Sequence, residues 1–337
     1  MDKNNYNGAL QHPLHSGFDA ASTTNDVIKG IELTGKIAIV TGGYAGIGLE
    51  TVKALASAGA TIIVPARNVE KAKKSLKGIS NVEVEAMDLT EQLSIGTFAD
   101  KFLASGRSLH LLINNAGIMW VPLQRDSRGY ESQLSTNYLG HFQLTTRLWT
   151  ALVKAEGARV VNVSSWGHHF SPFVFDDPNY LHREFDSFAA YGQSKTANIL
   201  FSLELDNRGK KLGVRSFSLH PGIISETELG RNVPHADLVA YGVFDERGKV
   251  INDPLRGLKS LSQGASTTVW CATSPKLNEL GGVYCEDNDI AELDDSLLGE
   301  TVDTGLMKKV MPYALEEGSA KKLWRMSEEL TGALFAI

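Results

Sequence analysis

The chain has 337 residues, 42% hydrophobic and 21% charged, with 33 basic against 39 acidic side chains and a net charge of −6. This composition excludes a disordered chain, a collagen-like repeat or a disulfide scaffold, and the acidic total argues against a nucleic-acid binder that works through overall basicity. At this length roughly three quarters of the unfolded surface can be buried without disulfides or a structural metal, and Cys271 and Cys285 are expected as buried thiols.

Residues 1–33 read as a polar arm with no apolar signal-peptide core. Nowhere does the chain reach the ~18 consecutive apolar residues of a membrane span. The expected location is cytoplasmic. From residue 36 short apolar or β-branched runs alternate with helical patterns. The runs are Lys36–Thr41, Ala60–Pro65, Val82–Met87, Leu109–Asn114, Arg159–Ser164, Val214–Leu219 and Gly282–Cys285. Four of them carry apolar residues on consecutive positions, as strands buried on both faces do.

Between these runs, Ile47–Ala58 places Val52, Leu55 and Ala56 on one face and stops at Gly59. Further helices are expected near 91–105, 129–155, 189–209 and 264–273. Strand alternating with helix predicts an α/β chain: one doubly wound Rossmann fold, a seven-stranded parallel sheet with helices on both faces. The fold would span 34–298, with long substrate-side loops at 166–188 and 223–262. A C-terminal helical extension would cover 299–337, with a packed helix at Ala320–Leu330.

The first strand runs directly into Thr41-Gly42-Gly43-Tyr44-Ala45-Gly46-Ile47-Gly48 and a helix. Glycines there allow a tight turn and close approach of a pyrophosphate to the free N–H groups of the helix start. A mononucleotide P-loop would continue with Lys and Ser/Thr, where this chain has Leu49 and Glu50. Where an acidic residue would bind a ribose 2′-hydroxyl, 19 positions after Gly48, stands Arg67. A guanidinium suits a 2′-phosphate, so NADP(H) is expected over NAD(H).

Further along come Asp88-Leu89, Asn114-Asn115-Ala116-Gly117, Asn137 in STNYLGHF, Ser164-Ser165, Tyr191-Gly192-Gln193-Ser194-Lys195 and Pro221-Gly222. Together with the glycine turn, and in this order, they resemble the short-chain dehydrogenase/reductase family over roughly 34–290. The SKTANILF run after Tyr191 is similar to the retinol-dehydrogenase-like branch. The spacing of Tyr191 and Lys195 has its own logic. Four residues apart on a helix they share a face, and a cation beside a phenol favours the phenolate.

The resemblance implies an oxidoreductase moving a hydride between nicotinamide and a carbonyl or alcohol carbon. Tyr191 would give or take the substrate oxygen's proton, and Lys195 would lower its pKa and hold the nicotinamide ribose. Ser165 would bind the substrate oxygen, and Asn137 a water linked to Lys195. Gly42, Tyr44, Gly46, Ile47 and Gly48 would hold phosphates, Asp88 and Leu89 the adenine. Asn115, Ala116 and Gly117 would line the adenosine side, and Pro221, Gly222 and Ile224 would back the nicotinamide. The family's threonine after Pro-Gly comes one residue late, at Thr227. The family often forms homodimers through the helices near 129–155 and 189–209.

Ser165 and Tyr191 are 26 residues apart, about twice the interval in compact family members. The added stretch carries Trp166, His168 and Phe170, which with Trp120 are expected to wall a pocket for a lipophilic, bulky ketone, aldehyde or secondary alcohol. His168 and His169 have no acidic residue at zinc spacing, so no metal is expected. A dinucleotide-sensing binding protein with the same fold but no turnover is the alternative, and it predicts loss of Ser165, Tyr191 or Lys195. All three are present.

Overall fold

A computed structural model describes residues 4–231, 238–239, 242–245, 247–294 and 308–335. Parts of the predicted 223–262 loop and of the 299–337 extension therefore lie outside the described residues.

The apolar runs form the middle of one sheet. Its strands are β1 (Ile37–Val40), β2 (Thr61–Ala66), β3 (Val82–Ala86), β4 (Leu111–Asn114), β5 (Ala158–Val163), β6 (Val214–Leu219), β7 (Tyr284–Glu286) and β8 (Asp289–Ile290). They lie in the order β3-β2-β1-β4-β5-β6-β7-β8. All neighbours are parallel except β7 and β8. Among the described residues the sheet thus has eight strands rather than the predicted seven. The eighth is a two-residue antiparallel return with too little length to show a pattern.

Ile39 and Leu112 face one apolar core and Ala38 and Ile113 the other, as alternation along a strand requires. The expected chain reversal between β1 and β4 puts the C-terminal ends of both strands beside one crevice, where open α/β sheets bind ligands.

Helices Gly46–Ser57, Gln92–Ala104, Ser187–Gly209 and Leu261–Thr273 cover the faces. The long helix predicted over 129–155 is broken. It becomes Ser132–Leu134, a π-helical turn at Ser135–Leu139, then Gly140–Arg147 and Trp149–Val153. Among the described residues no helix is long and apolar enough to cross a membrane.

The arm is stitched to the sheet's far edge. Buried Gln11 donates to the carbonyls of Tyr284 and Ala291 and accepts from the Tyr284 N–H. The C-terminal helix, Glu317–Thr331, lies on Ser187–Gly209. Trp324 sits 5.6 Å from Phe142, 5.9 Å from Phe201 and 4.4 Å from Phe335, ring to ring. The chain's own C-terminal segment thus occupies part of the face on which subunit pairing was expected. Truncating so buried an aromatic leaves a cavity. Trp324→Ala is expected to cost about 3–5 kcal/mol, read as a lower urea midpoint with unchanged slope.

Candidate active site

The glycine turn is built for a close neighbour. A Cβ on Gly48 would stand 2.4 Å from the Gly42 carbonyl oxygen and 2.5 Å from Asn115 Nδ2. Only glycine lets the Gly46–Ser57 helix start against both. The residue before it, Ala45, offers no side-chain cap, so the first N–H groups are left for an anion. Thr41 joins this turn to the Asn-Asn-Ala-Gly segment. Its Oγ1 accepts from the N–H groups of Asn115 and Ala116 at 2.9 and 3.0 Å, and Asn115 Nδ2 donates back to its carbonyl.

His141, which motif reading passed over, continues the linkage. Its Nδ1 lies 3.0 Å from the Asn137 carbonyl and its Nε2 2.9 Å from Thr41 Oγ1. A carbonyl can only accept, so Nδ1 carries the proton and Nε2 accepts from Thr41. Burial holds the ring neutral, its pKa down to about 4. The signal lay in STNYLGHF, where His141 stands one helical turn after Asn137.

Asn137 sits within the π-helical turn, a distortion frequent at functional sites. Its side chain accepts from the Ile118 N–H at 2.8 Å and donates to the Ile118 carbonyl and to Ser194 Oγ, each at 3.0 Å. Lys195 is close by. A Cβ on Gly117 would stand 3.1 Å from Asn137 Oδ1 and 3.6 Å from Lys195 Nζ. Lys195 Nζ donates to the Val163 carbonyl at 2.9 Å and lies 5.5 Å from the centre of the Tyr191 ring.

Tyr191 is pinned by a second obligatory glycine. A Cβ on Gly167 would reach 2.7 Å from the tyrosine ring. The two serines of the pair divide. Ser164 is buried and donates to the Lys195 carbonyl. Ser165 Oγ accepts from the Gly167 N–H at 3.0 Å, which leaves its own hydrogen for Tyr191 or a ligand oxygen.

The electrostatics differ in one respect from the expectation of a phenol lowered by its lysine. Burial pushes Tyr191 up to about 12, with the Ser165 hydrogen bond only partly opposing it. Burial also pulls Lys195 down to about 7. Desolvation therefore outweighs what the chain's own groups return, and a further positive charge is needed to favour the phenolate.

The remaining predicted residues fall as follows. Arg67, just past β2, is exposed and has no hydrogen-bond or ion-pair partner among the described residues. Asp88 is half-buried and accepts from the N–H and Oγ1 of Thr90; Leu89 is buried. Tyr44, Gly46, Ile47, Ala116, Gly117, Pro221, Gly222 and Ile224 are half-buried around the crevice. The late threonine still reaches the turn, since a Cβ on Gly46 would stand 3.2 Å from Thr227 Cγ2.

Trp166, Phe170 and Trp120 form an aromatic cluster with Phe188, which the sequence reading did not single out. Trp120 lies 4.3 Å from Phe188 and 6.5 Å from Phe170, and Trp166 lies 5.6 Å from Phe170. Phe170 Cβ lies 2.9 Å from where a Gly192 Cβ would be, so the cluster adjoins Tyr191.

His168 does not join that wall. It is fully buried, its Nδ1 bonded to the Ser165 carbonyl and its Nε2 accepting from the Met311 N–H. Tyr313 donates to its carbonyl. Its role is to tie the loop after Ser165 to the C-terminal segment. Adjacency to aromatic residues misplaced it, because the partners are some 145 residues away and leave no local signal.

A glycine-cradled helix start, a Ser–Tyr–Lys cluster and an asparagine in a π-turn thus lie together beside the chain-reversal crevice. Residues 36–237 match the short chain dehydrogenase family, and the chain belongs to it.

Among its relatives are a Streptomyces lividans protein named as a probable oxidoreductase, 40% identical over 90% of this chain and 100% of that one, and human retinol dehydrogenase 12, 36% identical over 90% and 88%. The crystal structure of an uncharacterised protein from Mycobacterium Paratuberculosis superposes with a TM-score of 0.70 at 29% identity, covering 94% of this chain and all of that one. The protein is thus an oxidoreductase of retinol-dehydrogenase-like kind, acting on CH–OH or C=O groups of a small molecule with a nicotinamide dinucleotide.

Proposed function

We propose that this chain is an NADP(H)-dependent carbonyl reductase or alcohol dehydrogenase for lipophilic, bulky ketones, aldehydes or secondary alcohols. The observation that carries the reading is the cluster of half-buried Ser165 with buried Tyr191 and Lys195, supported by Asn137, next to aromatic side chains. The uncapped helix start, which glycine at position 48 lets lie tight against Gly42 and Asn115, fits a pyrophosphate. Gly42, Tyr44, Gly46, Ile47 and Gly48 would hold the phosphates, and Asp88, Leu89, Asn115, Ala116 and Gly117 the adenosine. Pro221, Gly222 and Ile224 would back the nicotinamide ring. When bound, a nicotinamide supplies or accepts the hydride and, oxidised, adds a positive charge.

The chain's own residues manage the proton. Tyr191 gives its phenolic hydrogen to the oxygen of a carbonyl being reduced, or takes the hydrogen of an alcohol being oxidised. Ser165 donates to that oxygen with the hydrogen its Gly167 bond leaves available, stabilising charge as it develops. Lys195 offsets the phenolate's charge from a dry site, where such interactions are strong. The aromatic wall gives area to an apolar ligand. The two buried, unpaired thiols suit a reducing compartment such as the cytoplasm.

The preference for NADP(H) rests on Arg67, whose guanidinium is exposed and without a partner among the described residues, at the end of β2 where a 2′-phosphate is expected. Titration by nucleotide fluorescence is expected to give tighter binding of NADPH than NADH. Arg67→Asp is expected to reverse the order, since a new carboxylate would repel the phosphate and accept from a 2′-hydroxyl. An unchanged preference in that variant removes Arg67 from the site.

A further inference from the structure

Trp120 has a backbone that bulky residues avoid. Its φ is +51°, the left-handed region, where Cβ crowds the following carbonyl oxygen and L-residues are disfavoured. Its indole Nε1–H is also buried without an acceptor among the described residues, a second cost. An arrangement that is unfavourable twice over persists only where its surroundings impose it, and such places cluster at ligand clamps.

What imposes it is Gln133. This side chain is fully buried. Its Oε1 accepts from the Trp120 N–H at 2.8 Å and its Nε2 donates to the Ser187 carbonyl at 3.1 Å. Its own N–H is held by the Glu131 carboxylate at 2.8 Å. One amide thus fastens the segment after β4 to the start of the helix that carries Tyr191. The same two segments flank an open depression of ≈ 470 Å³ lined by Trp120, Val121, Pro122, Phe185 and Ser187. That volume lies within the usual range for small-molecule sites, about 300–1,000 Å³. The Trp120 and Phe188 rings, 4.3 Å apart and tilted by 35°, continue its wall with broad apolar faces.

We propose that Trp120 determines specificity for the part of the substrate remote from the reacting carbon, and that Gln133 is the positioning residue that fixes it. The ligand class selected is a carbonyl or alcohol carrying a flat apolar group, aromatic or conjugated, which can lie against the indole face. This deepens the carbonyl/alcohol reading above and rests on it.

The test measures kcat/KM with NADPH for an extended aryl ketone and for a short aliphatic ketone in wild type, Trp120→Ala, Trp120→Phe, Gln133→Leu and the Trp120→Ala/Gln133→Leu double variant. The ratio of aryl to aliphatic kcat/KM is expected to fall about tenfold or more in Trp120→Ala, mainly through KM of the aryl ketone, and to be largely kept in Trp120→Phe. Gln133→Leu is expected to lower the same ratio while the NADPH dissociation constant stays within about twofold. The double variant is expected to match Trp120→Ala alone, because Gln133 acts through the indole.

An unchanged ratio in Trp120→Ala, or a Gln133→Leu loss that adds fully to it, overturns the inference. Should Gln133→Leu not fold, the two Trp120 variants still decide the specificity claim. Wild type that turns over neither ketone overturns the underlying reading as well, which separates the two failures.

Discussion

Tyr191→Phe is expected to lower kcat for NADPH-dependent ketone reduction by about a thousandfold, within the ~10²–10⁴ that a positioned proton donor contributes. The ring is buried and held flat on Gly167, so phenylalanine fits the same space. The NADPH dissociation constant is expected to stay within about threefold, read by the same fluorescence titration as for Arg67. In alcohol oxidation the wild-type rate is expected to rise with pH, because Tyr191 must lose its proton to accept another. Burial, partly opposed by the Ser165 hydrogen bond, places the phenol at about 12. The apparent pKa of that rise therefore measures how far the bound, oxidised ring and Lys195 together bring it down. A variant with wild-type kcat would assign the proton to another group.

Lys195→Met is expected to abolish turnover and yet to stabilise the fold near neutral pH. The ammonium is buried, donating to the Val163 carbonyl with no carboxylate paired with it among the described residues. Burial lowers its pKa from 10.5 to about 7. Between those values the unfolded chain binds a proton that the folded chain does not, so wild-type stability rises with pH across that window. At and below about 7 the full cost stands. At about 1.4 kcal/mol per pKa unit, that cost is of the order of several kcal/mol. Methionine has similar length and no charge. The variant is expected to melt above wild type at pH 6, with the gap closing as the pH approaches 10. Melting below wild type at pH 6 would mean that the cation is compensated in the fold and is not held there for function.

Much of this was legible in the chain. Consecutive apolar residues such as Ile37-Ala38-Ile39-Val40 announce strands covered on both faces, and alternation with helices implies parallel order. The glycine turn and the pairing of Tyr191 with Lys195 were legible because close approach and helical spacing are local properties, whereas Ser165 came only from the family resemblance. Short or distorted pieces were not. β8 has two residues. The helix Val69–Ser75 buries only Ala72, so it lacks an apolar stripe. The π-turn around Asn137 has no periodic signature.

Buried polar crosslinks were the other blind spot. Sequence reading passed over His141 and Gln133 and placed His168 in the pocket wall, while in the fold their partners are Thr41, Trp120 and Met311. Only three-dimensional pairing shows that they brace the site.

The central claim is that this crevice passes a hydride between nicotinamide C4 and a carbonyl carbon while Tyr191 handles the proton. Incubating wild type with an aryl ketone and NADPH deuterated at the transferable C4 position, then examining the product by NMR, tests it most directly. Deuterium is expected on the carbinol carbon in wild type and is expected to be nearly absent, over the same time, with Tyr191→Phe. A carbinol formed without deuterium, or equal incorporation in both proteins, would contradict it.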